Sequence, residues 1–503
     1  LSETGITDEG LATIGEFSGL KVLKLNGTQI TDTGLAHAAS LVGLETLDLQ
    51  QTNISDAGLA HLHTLTKLKT LGVSYGEITD AGLRELGKLV TLTSLDLSGT
   101  KISDAGLREL RGLTNLTALR LRVTASTDAG LAELRRLPRL ATLELTATRV
   151  SDAGLAELVG LEDLTTLELR NTQITDVGLR HVAALPRLEK LNCNQTSIKD
   201  DGVKSLAACR QLTSLNLSNT AVTDVGLQTI ATLKGLQHLY LGRTKISDAG
   251  LKELRGLSEL VTLEVFDTPI SDAGLVELRE LKNLTRLALW GTKITDAGMK
   301  VVAGFTNLTD LDVGATQVTD AGVAQLRSLQ KLELLGLWGT KITDAGMLEI
   351  GRHAGLEVLN LFGCQIGDAS MKEIAKLSNL TMLRLEQSAV TDAGLAELSG
   401  LRHLELLRLD ETAVTNIDAL AGLKDLTSLD LSGTAITDAG LSGLASLRNL
   451  KFVDLEDTNI TDAGIDDLKK LEPLRNLFLR DTQLSDAGIG ELRAAMPKTV
   501  IVH

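Results

Sequence analysis

The stretch Leu20-Lys21-Val22-Leu23-Lys24-Leu25-Asn26-Gly27-Thr28-Gln29-Ile30-Thr31-Asp32-Thr33-Gly34-Leu35-Ala36-His37-Ala38-Ala39-Ser40-Leu41 changes its hydrophobic period half-way along. From Val22 to Asn26 the alternation has period two, so Leu23 and Leu25 face one way and Val22, Lys24 and Asn26 the other. That is a short strand. From Thr31 onward the apolar residues fall at 35, 38 and 41, which is helical spacing. Thr31 or Asp32 is a suitable N-cap for that helix, and an aspartate there complements the positive end of the helix dipole.

The same pattern recurs on a 24-residue grid. Threonine stands at Thr4, Thr28, Thr52, then from Thr100 to Thr340 without a break, and at Thr412, with Gly76, Cys364 and Ser388 at the intervening points. One unit, 412–433, is only 22 residues long, and the grid resumes at Thr434, Thr458 and Thr482. The short unit lacks the glycine and two residues of the helix start, which predicts a local change in curvature. An aspartate column, Asp8 through Asp486, runs four residues behind the threonines. A single unit cannot bury both its strand and its helix leucines, but stacked copies bury them as one core. The expectation is therefore one solenoid over residues 1–503 with about 21 repeats, closed by a strand near 499–503.

The motif Leu20-x-x-Leu23-x-Leu25-x-x-Thr28-x-Ile30 resembles the leucine-rich repeat signature, with Thr in place of the usual Asn. The tag Thr391-Asp392-Ala393-Gly394-Leu395 resembles a bacterial subgroup, and the alternation of strand and helix is similar to ribonuclease-inhibitor-like members. The resemblance implies an α/β horseshoe with a parallel concave sheet, helices outside, and recognition of macromolecules as its role.

Composition agrees with a repeat scaffold and excludes several alternatives. Aromatics are 2% of the 503 residues, so the core has to be aliphatic. Three cysteines rule out a disulfide framework and lean towards a cytoplasmic location. No run of eighteen apolar residues is present. The net charge of −15 argues against nucleic acid or an anionic membrane as partner. Assigning the twenty column aspartates to helix caps leaves 45 acidic residues against 50 basic ones, so the bulk acidity belongs to the scaffold. The chain opens in mid-unit at Leu1-Ser2-Glu3-Thr4, which predicts an open end available for self-association, or a segment of a larger scaffold protein.

Discounting the scaffold columns leaves few candidates for chemistry. Cys193, Cys209 and Cys364 occupy leucine or threonine columns and read as buried, and His353 reads as a satisfied core histidine. No Ser-His-Asp grouping, metal-ligand spacing or phosphate loop is present. The sequence therefore predicts no enzyme, no metal and no cofactor.

The aromatics are unevenly placed. Eight of ten fall on columns 22, 24, 26 and 27 of the unit, the ones expected on the concave face: Tyr75, Tyr240, Phe266, Trp290, Trp338, Phe362, Phe452 and Phe478. Phe17 and Phe305 stand on a leucine column and are expected in the core. Phe266, Trp290, Trp338 and Phe362 share column 26, interrupted by Gly314, and would span about 19 Å as an exposed strip. Charge on the same face also changes along the chain. Arg120, Arg122, Arg170 and Lys190, with Glu144 and Glu168 interleaved, mark the first half, whereas Glu386, Asp410, Glu411, Asp430, Asp454, Glu456, Asp457 and Asp481, offset only by Arg384, Arg408 and Arg480, mark the end. The expected function is a non-catalytic module that binds a protein or peptide with an apolar and a basic segment. Its expected contacts are Tyr240, Arg243, Phe266, Trp290, Trp338, Phe362, Arg384, Glu386, Arg408 and Asp410. A glycan-binding surface with Trp290 and Trp338 as stacking platforms is the alternative.

Overall fold

A computed structural model describes residues 1–471 and 474–503. The chain divides into two compact units, Leu1–Ile246 and Ser247–His503. In the first, ten three-residue strands from Val22–Lys24 to His238–Tyr240 pair in parallel in chain order, with Leu23 opposite Leu47 and Leu215 opposite Leu239. In the second, eleven strands from Thr262–Glu264 to Val500–Val502 do the same, and the last of them is the closing strand expected near 499–503. The register advances by one repeat per strand, so each leucine column stacks on itself. Leu23, Leu25, Leu35 and Leu41 of the quoted stretch are all buried, as are most of their equivalents. Each fully buried leucine contributes roughly 1.5–3 kcal/mol relative to an exposed one.

The turn after each strand is built by the threonine column. Thr28 Oγ1 donates to the Leu25 carbonyl at 2.5 Å, and Thr52 Oγ1 to that of Leu49 at 2.7 Å. The hydroxyl thus closes the turn that an asparagine would otherwise close. The residue before it is left-handed, occupied by Gly27 and Gly99 but also by Gln51, Tyr75 and Arg243 at φ 53°, 57° and 55°. The closure of the turn and a backbone bond to the next repeat, as from Gln51 N–H to the Ser74 carbonyl at 2.9 Å, hold non-glycine residues there.

The aspartate column does not cap its own helices, contrary to the sequence reading. In most units the cap is the Ser or Thr one position earlier, as where Thr31 Oγ1 accepts from the Thr33 N–H. Each aspartate is the first helical residue, and in most units its carboxylate reaches the next unit. Asp8 Oδ1 accepts the Thr31 N–H at 2.9 Å and its Oδ2 the Thr31 hydroxyl at 2.6 Å. Asp248 makes the same pair of bonds with Ser271 at 2.7 and 2.6 Å. The column is a ladder between repeats, and it explains the glycines beside it. A Cβ on Gly34 would strike Asp8 Oδ1, and one on Gly274 would strike Asp248 Oδ1. Where Gly367 replaces the capping hydroxyl, Ser370 replaces the column glycine and donates to Asp344 in its stead.

The 22-residue unit loses residues from its helical half alone. Its strand partner pairs Leu406 with Ser428, and the following pair, Leu429 with Val453, is in the usual order. The helix is reduced to the 3-10 turn Asp418–Gly422. Asp392 still reaches across, accepting from Thr415 N, Thr415 Oγ1 and Asn416 N. Burial pushes its pKa the other way, but those bonds hold the carboxyl below the usual carboxylate range.

Two core expectations need correction. Phe305 is fully buried, but Phe17 is 61% exposed, because among the described residues only the following unit stacks against it. His353 is buried, yet neither ring nitrogen has a well-formed hydrogen bond; the Leu329 backbone acts on it without good geometry. Burial holds it neutral by lowering its pKa. The three cysteines are buried, and burial pushes the Cys209 thiol up to about 11.

Candidate interaction face of the second unit

Eight of the ten expected contact residues lie in the second unit; Tyr240 and Arg243 belong to the first, Tyr240 on its last strand and Arg243 at a left-handed turn position. In the second unit the four aromatics of column 26 sit on one face of the sheet, each at the turn that follows its strand. Phe266 and Trp290 stack with ring centroids 4.4 Å apart and planes 10° from parallel. Trp290 and Trp338 lie 5.8 Å apart at 50°, reaching over the position of Gly314. Glycine is required there, since a Cβ would run into the Trp338 indole. Phe362 carries the Arg384 guanidinium 6.0 Å from its ring centre. The strip expected to be exposed is half-buried, because Phe266, Trp290 and Trp338 cover one another and Arg384 lies over Phe362. Tyr75, away from the others in the first unit, is 53% exposed.

Arg384 joins the aromatic strip to the acidic end. Its Nε donates to Glu386 Oε1 at 2.7 Å, while Arg408 lies 3.9 Å from the same oxygen and 3.7 Å from Asp430 Oδ2. Glu386 is 1% exposed, so it is buried beneath these arginines and does not present itself on the surface as its column position implied. Its Oε2 and Asp410 Oδ1 are buried without a hydrogen-bond partner. Asp430 and Asp454 face each other in register on adjacent strands and also serve the fold, accepting the Ser432 and Glu456 N–H groups. Burial, reinforced for Asp410 by Asp430 and Glu386, pushes Asp410 up to about 6. Burial, with Asp430 and Glu456 nearby, does the same to Asp454, also to about 6.

A third feature escaped the sequence. Glu264, Ala288, Asp312 and Gly336 occupy the same column on four successive strands. The methyl group of Ala288 leaves room on one side of Asp312, and on the other the Asp312 carboxylate itself fills the space above Gly336, where a Cβ would strike it. Asp312 accepts the Gly314 N–H at 2.9 Å and a hydrogen bond from the Trp338 side chain. A cleft of about 140 Å³ opens above Ala288, bounded by Glu264, Arg286, Trp290, Asp310, Asp312 and Leu334. The available signal was the run of residues along one column, Glu-Ala-Asp-Gly, which a column-by-column reading of aromatics and charges passes over. Among the described residues, no group of three or more His, Cys, Asp or Glu side chains is arranged to hold a metal ion.

The model of a leucine-rich repeat region matches residues 123–355 and 340–492, and a second leucine-rich repeat model matches 64–87 and 88–110. The chain belongs to the leucine-rich repeat family. No curated protein sequence matches it. Among solved structures it is similar to an internalin of Listeria monocytogenes, at 23% identity over 84% of this chain and 94% of that one, with a TM-score of 0.42. A leucine-rich repeat protein of Leptospira interrogans is 20% identical over 83% of this chain and 92% of its own, with a TM-score of 0.40. The Arabidopsis receptor kinase HAESA, solved with the peptide hormone IDA and the co-receptor SERK1, is 17% identical over 90% and 84%, with a TM-score of 0.40.

Proposed function

We propose that the second unit binds an extended polypeptide along the open face of its strands, without catalysis. Leucine-rich repeat chains are, as a class, protein-interaction modules. The observation that carries the reading is the column Phe266, Trp290, Trp338 and Phe362, which continues through Arg384 into the carboxylates Glu386, Asp410, Asp430 and Asp454. Half-buried aromatics with a neighbouring arginine are what interface anchors are made of. Surplus carboxylates beside them favour a basic segment of the partner. A glycan platform is less well supported, since one face of Trp290 is already covered by Phe266.

The test is selection of peptides from a randomised display library on the wild-type chain, with rebinding to the Trp290→Ala, Trp338→Ala double variant. Binders using this face should lose at least about tenfold in affinity, as for two hot-spot residues. Equal affinity for both proteins would remove the aromatic column from the site.

A further inference from the structure

We propose that the cleft above Ala288 is the seat for one cationic side chain, lysine or arginine, of the bound polypeptide. The inference rests on the polypeptide-binding reading. What marks the position is the meeting of a void, an indole wall and uncompensated carboxylates. On the column Glu264, Ala288, Asp312 the middle side chain is a single methyl group, and adjacent strands are about 4.8 Å apart. The two outer carboxylates therefore flank an opening one side chain wide.

Charge around the opening does not balance. Glu264, Asp310 and Asp312 bring three negative charges, and Arg286 brings the one cation that lines the cleft. Arg286 Nε already donates to Glu264 Oε1 at 3.0 Å, and its Nη1 stands 3.9 Å from Asp310. Asp312 is held from behind by the Trp338 side chain and the Gly314 N–H, which orients its carboxylate without neutralising it. Burial raises the pKa of both Glu264 and Asp312, the cost of holding charge there without a full counter-ion. Trp290 forms the remaining wall, and an aromatic side chain beside two carboxylates suits a cation whose stem is apolar and whose tip is charged. A neutral side chain would leave the carboxylates uncompensated. An anionic one would be repelled.

Trp290 and Trp338 are the two tryptophans of the chain, so indole emission reports on this cleft directly. The probes are the N-acetyl methylamides of lysine, arginine and norleucine, titrated into the full chain. A saturable change in emission is expected with lysine or arginine amide and none with norleucine amide. The Ala288→Met variant fills the void without altering charge and should weaken the response at least about tenfold. Ala118→Met, on a strand of the first unit, controls for the added bulk and should respond like the wild type. A response to norleucine amide equal to that of the cations overturns the seat, as does an unchanged response in Ala288→Met. The library-selected peptides separate the two readings. Peptides that depend on Trp290 and Trp338 but bind Ala288→Met unchanged defeat the seat and leave the face intact. Peptides indifferent to both tryptophans defeat the face itself.

Discussion

Asp248 and Gly274 show how one residue's identity is set by a neighbour in the next repeat. Asp248 holds the cap residue Ser271 through two hydrogen bonds, and its carboxylate occupies the space where a Cβ on Gly274 would lie. Hydrogen bonds to a charged group contribute roughly 1.5–3 kcal/mol each, so Asp248→Ala is expected to cost about 2 kcal/mol or more in urea denaturation. Gly274→Ala should cost on the order of 1–3 kcal/mol, because the new methyl group pushes on the same carboxylate. The double variant should cost clearly less than the sum, since the methyl group no longer meets the carboxylate. Strict additivity in that cycle would show the two columns to be independent. The exchange at Gly367 and Ser370 is the natural version of the experiment: the hydroxyl moves from cap to glycine column and still finds Asp344.

Among the strands, Leu406–Arg408, Ser428–Asp430 and Phe452–Asp454 carry an electrostatic cost into the sheet. Asp410 and Asp454 have folded-state pKa values raised to about 6, above the ordinary carboxylate value, so the folded chain binds more protons than the unfolded one between about pH 4 and 6. Stability therefore falls as pH rises through that window, and the cost persists above it. Asp410→Asn should stabilise the protein at pH 7.5 by on the order of 1 kcal/mol, a figure already discounted for the partial solvent exposure of the group. At pH 4 the difference should vanish. Denaturation midpoints of the two proteins across that range check the sign, and a variant that is no more stable at pH 7.5 would refute the cost of the buried charge. The same surplus of carboxylates fits the basic partner segment proposed for this face.

At the scale of the whole chain, stability in a repeat array is a sum of units and nearest-neighbour interfaces, so a weak unit is a local event. The short unit has a 3-10 turn, Asp418–Gly422, in place of an α-helix, and the next has only the 3-10 helix Asp438–Ser446. Their strands nonetheless pair in register. Hydrogen exchange should accordingly be about tenfold or more faster in the amides of these two helical segments than in Asp296–Val302, while the strand amides beside them stay protected. Uniform protection across the three segments would contradict this.

The sequence by itself determined the repeat, its strand and helix halves, the leucine core and the closing strand, because a 24-residue period forces every column to stack on its own copies. It also located the aromatic column, since those residues stood where the scaffold asks for none. Only the tertiary structure decided what the columns do to one another. The aspartates proved to be ties to the following repeat, as Asp8 is to Thr31, because a carboxylate on the first helical residue lies nearest the next unit's cap. The rings of Phe266, Trp290 and Trp338 proved half-buried, because strands 4.8 Å apart bring large side chains into contact with one another before solvent. The opening above Ala288 was visible only when Glu264 and Asp312, far apart in sequence, were set on the strands either side of the one that carries Ala288, with its methyl group between them. A one-dimensional pattern records which side chain stands in each column, whereas volume and uncompensated charge arise between columns and exist only once the chain is stacked.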